Sequence, residues 1–164
     1  MPQSTVSTAE VLDPFFKRYH QSHVSPPRGQ IWLALMGNEG PLMGAVFADI
    51  PDGAEGTCTE FITFARHPGY GYPASGFMSW CCSHLRSQHK DLIITFCEPE
   101  WGNGIMFQGA SWYYDGRRGR TDDGIRLHGA RVSDGGHHLY WKPLTRPGRA
   151  HAERLGLQQR EYPK

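Results

Sequence analysis

The sequence predicts a mixed α/β fold, on three observations. Apolar runs of strand length alternate with amphipathic stretches of helical period. The run "LIITFC" is apolar almost throughout, as a strand covered on both faces must be. Two pairs of runs lie close enough to close as hairpins, which places antiparallel pairs beside the helices. At 164 residues the chain is most simply one domain, able to bury about two-thirds of its unfolded surface. The expected division is a single domain over 1–145 and a basic tail over 146–164.

The elements follow in order. Asp13-Pro14 reads as an N-cap and first helical position, and Phe15, Phe16 and Tyr19 fall on one face of the helix they open. The prolines of "VSPPRG" end that helix. "IWLALM" and "LMGAVFA", separated by "GNEGP", read as a hairpin with a turn several residues long, and "CTEFITFA" as a third strand. Pro73 suits the first turn of a second helix, along which Phe77, Trp80, Cys81 and Leu85 form an apolar stripe. Beyond the strand "LIITFC", "GIMFQGASWYY" reads as a short helix ending near Asp115-Gly116, and "RRGRTDDG" as polar loop. "IRLHGARV" and "HHLYWKPL" form a closing hairpin, with His137-His138 on an edge strand or against a metal or phosphate. The residues beyond about 145 read as a tail holding a brief helix.

The net charge is +1, but it is unevenly spread. Residues 1–116 carry 6 Lys and Arg against 11 Asp and Glu, and residues 117–164 carry 11 against 5. A basic final third suggests an acidic partner, nucleic acid being the usual one, or a solvated face with no ligand. The four cysteines form no CxxC pair and lie among apolar neighbours, which reads as buried reduced thiols. No apolar run approaches the roughly 20 residues that span a bilayer, and the first residues do not read as a signal peptide. A cytoplasmic protein with no membrane partner is expected.

One stretch asks for more than a turn. "RHPGYG" leaves the third strand and precedes the second helix, so its glycines can expose backbone amides beside a helix N-terminus, an arrangement suited to phosphate. A simple strand-to-helix turn is the alternative. With Arg66, Gly69 and Gly71 at their spacing, it resembles the acyl-CoA pyrophosphate loop of the GNAT acetyltransferases: Arg or Gln, two residues, Gly, one residue, then Gly or Ala. The resemblance implies a GNAT-like α/β fold, with a mixed, mostly antiparallel central sheet flanked by helices. It also implies acetyl-CoA or a related acyl-CoA held by Arg66, Gly69, Tyr70, Gly71 and Ser75.

A second resemblance runs from about residue 14 to residue 116. "RYHQSH" supplies Tyr19, His20 and Ser22, "YPASGFMSWCCSHLR" supplies Ser75, and "CEPEWGNGIMFQGASWYYDG" supplies Glu98, Pro99, Gly102, Gly104, Phe107, Gln108, Ala110, Trp112, Tyr114 and Gly116. On these residues the chain is similar to the Mom family of phage-encoded DNA adenine modification proteins. That resemblance implies an enzyme placing a small acyl-derived, methylcarbamoyl-like group on the adenine N6 amino group, protecting phage DNA against restriction in the host cytoplasm. Two residues depart from the pattern. Phe107 stands where many relatives have a Tyr able to protonate the departing thiolate, and Glu98 stands where Asp is frequent.

Acyl transfer needs a held donor, a deprotonated amine and a polarised carbonyl. Glu98 is the first candidate base and Glu60 the second, with His20, Ser75 and Tyr114 as further catalytic candidates; Glu98 otherwise serves the N-terminus of the next helix. With His20 and His23, Glu98 completes a two-His, one-carboxylate set, which the Mom resemblance makes a candidate iron site, or the histidines merely cap a helix. Trp101 stacks on an extruded base or packs internally, while Arg117, Arg118 and Arg120 track DNA phosphates. The alternatives are a GNAT N-acetyltransferase acting on an aminated hypermodified base or another amine, and a GNAT-like DNA-binding module without catalysis.

Overall fold

The computed structural model describes residues 1–20, 31–50, 58–97, 104–118 and 137–164, with the side chains of residues 117 and 118 left aside. Along the chain come β1 (Gln3–Val6), α1 (Ala9–Tyr19), β2 (Ile31–Gly37), β3 (Gly40–Asp49), β4 (Cys58–Arg66), α2 (Ala74–Ser87), β5 (Leu92–Cys97), α3 (Ile105–Gly109), β6 (Tyr113–Arg118), β7 (His137–Pro143) and α4 (Arg146–Arg154). The sheet order is β1-β2-β3-β4-β5-β7-β6. Pairs β1–β2, β2–β3, β5–β7 and β6–β7 are antiparallel, and β4–β5 is parallel. This is the mixed, mostly antiparallel sheet with helices that the sequence predicts. The residues group into two compact units, 1–48 with 61–81 and 49–60 with 82–164.

In the first unit α1 starts earlier than expected. Thr8 is its N-cap and Pro14 lies inside it. Proline there removes the bond to the Glu10 carbonyl, at a cost of about 3 kcal/mol. The helix survives because Leu12, Phe15 and Phe16 are buried on its other side, each contributing about 1.5–3 kcal/mol, while Glu10 and Pro14 face outward. Those side chains join Ala34, Val46 and Ala65, with Tyr19 and Trp32 at the margin. The β2–β3 turn is also tighter than expected: Gly37 pairs directly with Gly40, leaving only Asn38 and Glu39 between the strands. Strand β1, which lies ahead of the first element read from the sequence, pairs with β2.

In the second unit Leu92, Ile93, Ile94 and Thr95 of β5 are all buried, as an apolar strand covered on both faces requires. It runs parallel to β4 (Cys58 to Leu92, Glu60 to Ile94) and antiparallel to β7. Two expectations are corrected here. The helix α3 stops at Gly109 and Tyr113-Tyr114 open β6, because Ser111 takes a positive φ of 60° that breaks the helical path. And β7 is no edge strand but lies between β5 and β6, so His137 and His138 are buried. Its expected partner "IRLHGARV" lies outside the described residues; β6 fills that place.

Residues 146–154 form α4, fastened at its start. Thr145 caps the helix by accepting the Gly148 amide at 3.1 Å and donates its own hydroxyl to Asp91 Oδ1 at 2.5 Å. The Asp91 carbonyl accepts the Leu144 amide and lies against Gly148, where a Cβ would collide with it. Ala152 and Leu157 then join Ile50, Leu92, Leu139 and Trp141 in one apolar cluster.

All four cysteines are free. Burial first, then the charges of Asp49 and Glu60, pushes Cys58 up to about 12, and burial pushes Cys82 up to about 11 despite Lys142 and Arg86. Both stay protonated and unreactive at neutral pH, as buried structural thiols do. No helix among the described residues is long and apolar enough to cross a membrane.

Two stability measurements follow. Gly148→Ala drives a methyl group into the Asp91 carbonyl and should cost about 1–3 kcal/mol, read as a lower urea midpoint. His151 is buried in α4 with Nδ1 lacking a hydrogen-bond partner among the described residues. Burial, then Arg154, holds its pKa below the ordinary 6.5, with Asp91 opposing. The unfolded chain therefore takes up this proton first, and stability falls as pH drops through about 6.5. Urea unfolding from pH 7.5 to about 5 should show that slope, and His151→Met should flatten it.

Candidate functional site

The loop after β4 belongs to the first unit. The amide of His67 makes the last bond to β3, to the Leu42 carbonyl at 2.8 Å, and Pro68 has no amide to give. The Tyr70 amide returns to the His67 carbonyl at 3.0 Å, closing a four-residue turn. The Gly69 amide donates to Nδ1 of His67 at 3.0 Å. Of the amides from 67 to 70, each that exists is therefore bonded within the chain. Arg66 reaches forward to the Tyr72 carbonyl at 3.4 Å, while the rings of Tyr70 and Tyr72 lie 5.3 Å apart and Tyr72 is exposed.

Pro73 directly precedes α2, which has no acidic residue in its first turn, so its positive end is unopposed by its own side chains. Ser75 is half-buried in that turn. Among the described residues, nothing beyond the local chain lies within 4 Å of where a Cβ would project from Gly71 or Gly76. Open space beside those glycines, a cationic Arg66 and a helix N-terminus suit a phosphate-bearing donor. Behind the loop a cleft of about 800 Å³ is lined by Phe15, Arg18, Tyr19, Leu42, His67 and Tyr70, among others. Tyr19 packs on His67 with ring centroids 4.8 Å apart.

Of the histidines expected to bind iron, His20 is half-buried at the end of α1 and sits 6.3 Å, ring to ring, from Phe16. Its proposed companions His23 and Glu98 lie outside the described residues, as do Trp101 and Arg120. Among the described residues no three His, Cys, Asp or Glu side chains gather as metal ligands. With one described donor of three, no chemical step is derived through iron. Arg117 and Arg118 are known here only by their backbones, paired with His138 and His137.

In the second unit Glu60 is 4 % exposed and paired in register with Ile94. Its neighbour Thr59 donates to Asp49, which also takes Lys90 Nζ at 2.8 Å. Tyr114 places its hydroxyl 2.7 Å from Nδ1 of His138, both side chains buried. His138 is the residue that the edge-strand reading hid. The alternation in "HHLYW" is the signal for it, since His138 and Tyr140 share one face of β7.

Tyr140 organises most of what the sequence reads as a motif. Phe107 stacks on its ring at 5.4 Å and packs at a tilt on Trp112 at 4.9 Å. Gln108 donates to its hydroxyl at 3.2 Å, and Tyr114 packs at 5.0 Å. Gly104 has φ +78° and lies so close to the ring that a Cβ would overlap it. Burial pushes the Tyr140 hydroxyl up to about 12, against the pull of Gln108. These contacts with Gly104, Phe107, Gln108 and Tyr114 make Tyr140 a structural centre of the second unit.

No family model matches the sequence, and no curated protein sequence matches it. Solved structures do match its fold. A GNAT family N-acetyltransferase (YhbS) from Escherichia coli in complex with CoA aligns over 97% of this chain and 96% of its own, at TM-score 0.64 and 12% identity. The ribosomal-protein-S5-alanine acetyltransferase from Vibrio fischeri covers 88% and 94%, at 0.61 and 9%. An aminoglycoside acetyltransferase, AAC(6')-Ib, in complex with coenzyme A covers 94% and 98%, at 0.59 and 13%. The chain has the fold of the GNAT acetyltransferases.

Tyr114→Phe separates a structural from a chemical role for this hydroxyl. Removing it takes the 2.7 Å partner from a buried His138 and should cost about 1–3 kcal/mol, seen in urea unfolding. A loss of kcat larger than the lost folded fraction explains would mark Tyr114 as part of the chemistry.

Proposed function

We propose that this chain is an acyl-CoA-dependent N-acyltransferase, and that its acceptor is the N6 amino group of adenine in DNA, in the manner of Mom. The observation that carries the reading is the β4 strand, the Arg66-x-x-Gly69-x-Gly71 loop and the α2 N-terminus, in order, on a fold whose solved neighbours include CoA complexes. Arg66, the Gly71 region and the first turn of α2 with Ser75 hold the diphosphate, and Tyr70 and Tyr72 flank it. Bound acyl-CoA supplies an activated thioester. Glu60 or Glu98 takes the proton from the attacking amine, Glu60 being buried on β4 in register with Ile94 of β5.

The acceptor assignment rests on the stretch from Glu98 to Gly116 and on the basic final third. The named acceptors of the neighbours, an aminoglycoside and a ribosomal-protein alanine, differ so much that the fold leaves the acceptor to the residues around it. Adenine N6 is out of reach inside a duplex, so the base is extruded or taken from a single strand. Arg117, Arg118 and Arg120 would then meet backbone phosphates, which makes binding fall with salt.

The test is nucleoside mass spectrometry of digested DNA from bacteria expressing the protein. A new adenine species is expected, absent with Arg66→Glu and with at least one of Glu60→Gln and Glu98→Gln. Unmodified DNA alongside acetylation of a free amine by the purified protein would move the acceptor to another amine. Binding of DNA with no transfer to any acceptor would leave a binding module.

A further inference from the structure

This inference rests on the donor-loop reading and concerns the loop before a donor arrives. The imidazole of His67 is held on two sides: Nδ1 accepts the Gly69 amide at 3.0 Å, and the ring packs on Tyr19 of α1 at 4.8 Å. The fit is close at Gly69, where a Cβ would sit 3.2 Å from both Cε1 and Nδ1 and the ring would have to give by a few tenths of an ångström. An Nδ1 that accepts must carry its lone pair, so the hydrogen bond assigns the neutral tautomer protonated at Nε2.

The amides of this turn differ in one respect. Those of His67 and Tyr70 bond to carbonyls held by the strand and the turn. Only the Gly69 amide bonds to a side chain, and a side chain can leave by rotating about χ1. The cleft of about 800 Å³ lined by His67, Arg18 and Tyr19 is space for it to rotate into.

We propose that His67 is a self-cap of the donor loop: its neutral imidazole occupies the Gly69 amide in the free protein and competes for it with a phosphate oxygen of acyl-CoA. A hydrogen bond to a charged phosphate oxygen is roughly twice as strong as a neutral one, so the diphosphate displaces the ring. A ligand without that charge does not. The cap lowers affinity for every donor by the strength of one neutral hydrogen bond and keeps the loop shaped while empty.

The experiment is calorimetry with CoA on the full chain and two variants. His67→Phe keeps a ring against Tyr19 but removes the acceptor, and should bind CoA roughly two- to tenfold more tightly than the wild type. His67→Asn keeps an acceptor near the position of Nδ1 and should stay within about twofold of it. Binding by His67→Phe that equals or falls below the wild type overturns the cap while leaving the donor loop standing. An independent readout is the two-bond ¹H–¹⁵N spectrum of the imidazoles in the free protein. It should show His67 protonated at Nε2, and a ring protonated at Nδ1 overturns the cap whatever the affinities. Absence of CoA binding in all three folded proteins overturns the donor-loop reading and the competition with it.

Discussion

Strands β4 and β5 run parallel, and two parallel neighbours cannot be joined by a hairpin, so the chain between them must cross over. Here the crossover is the loop after Arg66 and the helix α2. Their order, strand end, glycine-bearing turn, helix N-terminus, is therefore a consequence of the sheet's one described parallel pairing. That sequence of elements also gathers amides and the positive end of a helix dipole. The proposed diphosphate site therefore falls where the topology demands a turn.

The loop also shows how backbone accounting limits a motif. A pattern of arginine and glycines says which positions lack side chains, but says nothing about which amides are already spent. Pro68 contributes none, the strand and turn use those of His67 and Tyr70, and the imidazole of His67 uses that of Gly69. Binding at such a loop is an exchange of acceptors.

The later motif carries a different lesson. Gly104, Phe107, Gln108 and Tyr114 each touch the ring or hydroxyl of Tyr140, and Trp112 packs on Phe107. Several positions that resemble a modification enzyme are therefore held in place by packing around one buried phenol. On the proposed reading, chemistry in that unit would fall to groups beside this frame such as Glu60, which is buried on β4; Glu98 and Trp101 lie outside the described residues. The basic final third divides in the same way. Arg149 lays its guanidinium over the Tyr113 ring, and Arg160 bonds through its backbone amide to the Tyr114 carbonyl, so parts of this basic segment also serve the fold.

The sequence by itself determined that β2 to β5 and β7 are strands and α1 to α3 helices, the doubly buried β5, the apolar stripe of α2, the reduced thiols and the strand–loop–helix after β4. These follow from periodicity and composition, which act over a few residues. Only the tertiary structure decided where α1 begins, since burial of Leu12, Phe15 and Phe16 outweighs the local cost of Pro14. Only it placed β7 between β5 and β6, made Tyr113-Tyr114 the start of a strand rather than the end of a helix, and set His138 on Tyr114 and His67 on Gly69. Each of these depends on a partner far along the chain or on a hydrogen bond already made, and neither is written in the spacing of the residues that show the pattern.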